Sequence, residues 1–322
     1  MTIILIVAGL WFLSTRVSLR EIGAALYNAT SVFVLAGVAI VLLTLVLKAW
    51  RWKLMFTDNR HPVTFVPAFW GTALGQYVNL VIPFLRLGEV ARLYALNRET
   101  GANPVQAAGT LVVEKTLDLI FLGLTVLLIL PFVILPEYVS RPVLLLALPI
   151  FIILILFLLA YQTKFIIQLW RMIIRPLPQG LQGWFLRVAV TGLEGLAALR
   201  SPRLSFLLLV SSLLIALLSV LLPFILFPAL NLSLSLLDAA LIHVVVTIAI
   251  APPSTPAKIG VFNGAAALML YQFGLTDETV IYSYAILFYL VAITPQIILG
   301  IIASARSRWR WQPNNTELPV QE

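Results

Sequence analysis

Charged residues are scarce in this sequence, and several of them stand beside or within long apolar runs. Glu89 and Arg92 are three residues apart and would share a helix face, with Arg86 shortly before them. Glu114 and Asp118 are four apart and would share a face of another helix. Ionisable side chains inside a membrane are costly unless paired, and they commonly mark substrate paths. We therefore predict that these residues bind substrate, or that Arg86 or Arg92 pairs with Glu114 or Asp118 as a structural clamp.

Two helix starts that follow proline breaks indicate a site for an anion. Arg86 follows Pro83, and Lys258 follows the prolines of 252–256. Free backbone N–H groups and the helix dipole make such starts favourable for phosphate. Broken backbone at membrane depth is tolerated only where protein or water surrounds it. We expect Arg86 and Lys258 to line a shared cavity that binds an anionic group, unless they only reach the membrane surface or balance nearby carboxylates.

The residues needed for common enzyme sites are missing from the sequence. There is no cysteine, and the two histidines are His61 and His243. No glycine-rich phosphate loop, nucleophile elbow or zinc-protease motif occurs. We expect a protein that is not an enzyme and that uses no cofactor and no metal. For His243, the sequence favours a hydrogen-bonded structural histidine over one that titrates.

Composition places the chain in a lipid bilayer. Of its 322 residues, 61% are hydrophobic and only 11% are charged, whereas ordinary soluble domains are about 25% charged. A membrane span needs roughly 20 mostly apolar residues. We predict an all-α polytopic transmembrane helical bundle, with a short first span at 1–13. The longer spans are predicted at 31–50, 107–131, 143–160, 204–228 and 280–303.

The basic residues predict the orientation of the bundle. The net charge of +8 is distributed in short clusters beside apolar runs, which favours membrane orientation over nucleic-acid binding. One cluster is predicted to lie at the membrane interface: Lys48, Arg51, Lys53 and Arg60, with Trp50 and Trp52. We expect this cluster, the 161–203 loop and the C-terminus to be cytoplasmic in the plasma or inner membrane. The connections 132–142 and 274–279 are expected outside.

This orientation requires two segments that do not cross the membrane. If 64–82 crossed fully, the basic 161–203 loop would lie outside, so we predict a re-entrant hairpin that turns at Pro83 and returns as 87–98. A second hairpin is predicted over 236–273, because the prolines of 252–256 cannot continue a helix.

The two hairpins occupy corresponding places in the two halves of the chain. We predict one transmembrane domain over 1–322, with repeats at 1–131 and 143–303 and a cytoplasmic tail at 304–322. Each half has the order span, span, broken hairpin, span, and the first begins inside whereas the second begins outside. This order is typical of an inverted-topology repeat, in which the broken segments mark a central site.

Two motifs resemble a known membrane family. The first comprises Pro83, Arg86, Gly88, Glu89 and Arg92, followed by Glu114, Lys115 and Asp118. The second comprises Pro253, Pro256, Gly260 and Phe262. Together they resemble the flippase-like proteins related to the transmembrane region of lysylphosphatidylglycerol synthases. The chain departs from the family pattern at Ala257 and Lys258, where glycines are usual, at Asn263 in place of Glu, and at Lys115 in place of Arg.

The resemblance implies a lipid flippase or transporter. It would move an anionic phospholipid or polyprenyl-phosphate-linked lipid between leaflets, with the head group bound between the two hairpins. The alternatives are a transporter of a small soluble anion and a non-catalytic membrane partner of a lipid-modifying enzyme. Membrane lipids are the expected partners, and the sequence leaves open whether the protein forms a homo-oligomer.

Overall fold

The structure is a computed structural model composed of helices in the part of the chain that it describes. That part comprises residues 19–56, 62–82, 87–132, 197–252 and 255–307, with short pieces between 167 and 190. The predicted spans at 1–13 and 143–160, most of the 161–203 loop, Arg86 and the C-terminal tail lie outside it. The helices are α1 (Leu19–Tyr27), α2 (Ser31–Leu54), α3 (Phe65–Val81), α4 (Leu87–Thr100), α5 (Pro104–Ile129), α6 (Pro202–Leu226), α7 (Leu236–Ala249), α8 (Val261–Gln272) and α9 (Glu278–Arg306).

Four helical segments are long and apolar enough to cross a membrane. They are Ser31–Leu54, Pro104–Phe132, Pro202–Leu230 and Glu278–Arg306. Each contains one of the predicted spans or most of it, so those four predictions and the all-α transmembrane fold are confirmed.

The sequence explains where several of these helices begin. Asn103 caps α5 by accepting a hydrogen bond from the Val105 amide at 2.9 Å. At α7, the Ser235 hydroxyl accepts from the Asp238 amide, and the Asp238 carboxylate accepts from the Ser235 amide. Such caps satisfy amide groups that have no partner inside the helix.

The two halves of the chain pack into each other. The order of long helix, helix pair and long helix occurs twice, as α2 to α5 and as α6 to α9. Helix α2 packs against α6, and α3 packs against α9. Small residues permit these contacts, since a side chain at Gly37 would meet Val291 and Leu226, and one at Gly300 would meet Tyr77. The re-entrant course of the helix pairs and their inverted relation stay predictions.

The main buried cluster lies among α6, α7, α8 and α9. Its centre includes Tyr284, whose hydroxyl donates to the Pro223 carbonyl at 2.8 Å. In a regular α-helix the Phe227 amide would donate to the Pro223 carbonyl, but here it donates to the Phe224 carbonyl. Tyr284 therefore satisfies the Pro223 carbonyl near the end of α6. The other half of the bundle has smaller apolar clusters, and ion pairs also join α2, α4 and α5 there.

Candidate functional site

Helices α3 and α4 approach each other through two glycines. A side-chain carbon on Gly88 would overlap the carbonyl oxygen of Gly75 and the side chain of Asn79. Asn79 accepts a hydrogen bond from the Gly88 amide at 2.9 Å and donates to Glu89 at 3.1 Å. Because α4 amides lack partners at its start, Asn79 caps this helix from the neighbouring one. The result fixes the face of α4 that carries Glu89 and Arg92.

Arg92 and Glu114 form a buried, bidentate ion pair that joins α4 to α5. The two guanidinium nitrogens donate to the two carboxylate oxygens at 2.8 and 2.9 Å. The guanidinium also lies 3.7 Å from the ring centre of Trp52, whose indole N–H donates to Thr110 at 2.9 Å. The predicted pair between the first hairpin and the 107–131 span is confirmed.

Asp118 pairs with Arg51 of α2, which the sequence analysis did not foresee. Arg51 is 0% exposed, and it donates to Asp118 at 2.7 Å and to the Ser212 hydroxyl at 2.9 Å. Trp52 is also 0% exposed. Both side chains therefore turn inward to meet partners on α5 and α6, and the predicted position of this cluster at the membrane interface stays a prediction.

Glu89 forms the third ion pair, with Lys115. The ammonium nitrogen of Lys115 lies 3.2 Å from a Glu89 carboxylate oxygen, and the two side chains are 52% and 26% exposed. This pair is much more open than the pair between Arg92 and Glu114. It is consequently the easiest of the three for another charged group to exchange with.

Most of these charged side chains line a polar cavity of about 270 Å³, which we call the polar chamber. Five of the six predicted substrate-binding residues line it: Glu89, Arg92, Glu114, Asp118 and Lys258. The sixth, Arg86, lies outside the described residues. The remaining lining residues are Lys48, Thr72, Gly75, Gln76, Asn79, Leu80, Gly88, Lys115 and Gln296. The geometry thus brings the predicted residues together, and their role in binding stays a prediction.

Lys48 is the residue of this chamber that sequence reasoning missed. Its ammonium group has no hydrogen bond and no ion pair with any described residue, although it lines the chamber. A signal was present, since Val41, Leu45, Lys48 and Trp52 follow the spacing of one helix face. Val41, Leu45 and Trp52 are buried. The same face therefore carries Lys48 toward the interior.

Lys258 reaches the polar chamber from a strained break between α7 and α8. The helix ends at Ala249, and a single 3₁₀ turn, Pro256–Lys258, precedes α8. Ala257 and Lys258 have φ values of 51° and 62°, in the left-handed region that favours glycine. The Tyr289 hydroxyl donates to the Ala257 carbonyl at 3.0 Å and supports this conformation.

Asn263 stands where the resembled family often has Glu. Its amide nitrogen donates to the Ala285 carbonyl at 3.2 Å, and its oxygen accepts from the Gly260 amide at 3.4 Å. Asn263 therefore ties the start of α8 to α9. In the described part of the chain, no three histidine, aspartate or glutamate side chains are grouped so that they could hold a metal ion.

Comparison with known proteins identifies the family of this chain. A family model described as the lysylphosphatidylglycerol synthase TM region matches residues 1–300. Searches of curated proteins and of solved structures gave no match. The match covers both helix pairs and every charged residue of the polar chamber. Together with four membrane-crossing segments, it shows a multi-pass membrane protein of a lipid-associated family. The chain belongs to the family of the transmembrane region of lysylphosphatidylglycerol synthases.

Proposed function

We propose that this protein is a lipid transporter that moves an anionic lipid between leaflets, with the lipid phosphate bound in the polar chamber. It acts without catalysis, and its partners are membrane lipids. The family, the membrane-crossing helices and the chamber support this proposal. We further propose a plasma- or inner-membrane location with a cytoplasmic C-terminus. In intact cells, an impermeant thiol reagent should then label Thr276→Cys and spare Ser307→Cys.

The observation that carries the proposal is the unpaired ammonium of Lys48. The three carboxylates that line the chamber each lie within 3.2 Å of a cation, as Glu89 with Lys115, Glu114 with Arg92, and Asp118 with Arg51. Lys48 has no such partner among the described residues. A charge away from bulk water is costly until an opposite charge reaches it. The chamber is therefore electrostatically suited to an anion.

Lys258 adds a further cation to the same chamber. It lies between α7 and α8, in the second half of the chain, whereas the three ion pairs join α2, α4 and α5 in the first half, so the two halves of the chain contribute to one binding site. Phosphate accepts several charge-assisted hydrogen bonds at once, which matches two ammonium groups better than a neutral ligand would.

The experiment compares two lysines of one helix. Purified protein is placed in phosphatidylcholine vesicles with a fluorescent phosphatidylglycerol, and transbilayer movement is followed by quenching from outside. Lys48→Gln should lower apparent affinity about 10- to 100-fold, since a hydrogen bond to a charged group contributes about 1.5–3 kcal/mol. Lys53→Gln is the matched control, because Lys53 follows on α2 and lines no part of the chamber.

Further arms separate the competing functions. Arg86→Gln and Lys258→Gln should weaken movement, with the smaller loss at Lys258 because other donors remain. Uptake of glycerol phosphate into the same vesicles, without lipid movement, would instead establish a transporter of a soluble anion. Lipid movement equal in Lys48→Gln and Lys53→Gln would contradict binding at Lys48.

A further inference from the structure

A second chamber of about 160 Å³ adjoins the polar chamber. The two share three lining residues, Lys48, Gln76 and Gln296. The second chamber extends from there between helices of both halves, toward His243 and Thr247 on α7. A group bound at Lys48 therefore faces both spaces.

The charges of the second chamber differ from those of the polar chamber. Its lining contains the cation Lys48 and the imidazole of His243, and it includes no carboxylate. Apolar side chains supply much of the remaining wall, among them Leu218, Leu222 and Phe288. An anion that entered would meet no fixed negative charge, and an attached apolar group would find apolar surface.

Four potential donors in this chamber lack hydrogen-bond partners among the described residues: Lys48, Gln76, His243 and Thr247. The expectation that His243 is a hydrogen-bonded structural residue stays a prediction. By contrast, Thr44 and Ser219 each donate to a carbonyl of their own helix at 2.8 Å. These four side chains are only partly buried, so water or a ligand can reach them, and four donors around one space can bind either.

We propose that the second chamber is a second binding site for the same lipid phosphate. The phosphate would pass from the polar chamber into it while Lys48 and Gln76 stay in contact, and its apolar part would lie against the leucines and Phe288. This inference rests on the proposed function, and it adds a second binding site to the one in the polar chamber. A route with two sites keeps the anion paired at each stage, which limits the cost of crossing the bilayer interior.

The chain contains no cysteine, so a reversible block can test the path. Thr247→Cys introduces a thiol into the second chamber. A bulky, neutral methanethiosulfonate reagent then fills the chamber, and a reductant removes it from the same folded molecules. We expect loss of phosphatidylglycerol movement after modification and recovery after reduction. Ile248→Cys is the matched control, because Ile248 is the next residue, is 55% exposed and lines neither chamber.

A binding measurement separates this inference from the proposed function. Water-soluble dihexanoyl phosphatidylglycerol should slow the modification of Thr247→Cys in detergent, and Lys48→Gln should remove that protection. Protection without lipid movement in vesicles would contradict the transport function and retain the second site. Lipid movement that persists after complete modification of Thr247→Cys, or modification unaffected by the short-chain lipid, would overturn the second site. Water alone in this space would give both of those results.

Discussion

The two helix pairs hold corresponding places in the order of helices but differ in packing and charge. The first, α3 with α4, is closely packed at Gly75 and Gly88, and its charges are paired. The second, α7 with α8, is largely apolar, has open space around Gly264 and contains the strained residues Ala257 and Lys258. We therefore expect the first pair to act as the rigid support of the bundle and the second to tolerate substitution more readily. A charged residue in the bundle is thus not by itself evidence of a binding site.

The largest expected effect tests the rigid support. Arg92→Ala should lower the free energy of unfolding by about 3–5 kcal/mol, because it leaves Glu114 buried without a partner. Replacing both residues, as Arg92→Leu with Glu114→Leu, should recover most of that loss. Reversible unfolding in mixed detergent micelles measures both values. An equally large loss in the double variant would show that the pair itself, rather than the avoidance of an unpaired charge, stabilises the bundle.

The sequence predicted this ion pair because Glu114 lies in an apolar span, where a charge must find a partner, and Arg92 lies on the neighbouring returning helix. It also predicted four membrane-crossing helices and both breaks, since proline and composition act locally. It did not predict the ion pair between Arg51 and Asp118, two residues that are 67 positions apart in the sequence. A basic cluster beside tryptophans at a helix end resembles a membrane surface, and only packing against α5 and α6 turns Arg51 and Trp52 inward.

A smaller effect compares the glycines of the two helix pairs. Gly88→Ala should destabilise by about 1–3 kcal/mol, since the added carbon overlaps the backbone of α3, which cannot move aside as a side chain would. Gly264→Ala should instead stabilise by up to about 1 kcal/mol, because it lies in a helix with open space around it. Unfolding in mixed micelles would show whether the signs differ. Equal and small changes would contradict the rigid packing of the first pair.

The strained residues of the second pair have the smallest predicted effect on stability. Both Ala257 and Lys258 adopt positive φ values, although the Cβ of any residue other than glycine makes that left-handed conformation unfavourable. Yet only one of the two side chains, that of Lys258, lines the polar chamber. Strain that persists at a cavity is a reason to look for a role of the side chain.

Glycine at each of these two positions therefore separates strain from binding. Ala257→Gly should stabilise by about 0.5–1 kcal/mol, because it relieves the left-handed backbone with a partial offset from the freer unfolded chain. Lys258→Gly should give a similar gain in stability and, unlike Ala257→Gly, weaken phosphatidylglycerol movement. Thermal unfolding in detergent and the vesicle assay measure the two properties on the same preparations. Equal movement in both variants would mean that Lys258 contributes no binding, and that the strain serves only the geometry of the break.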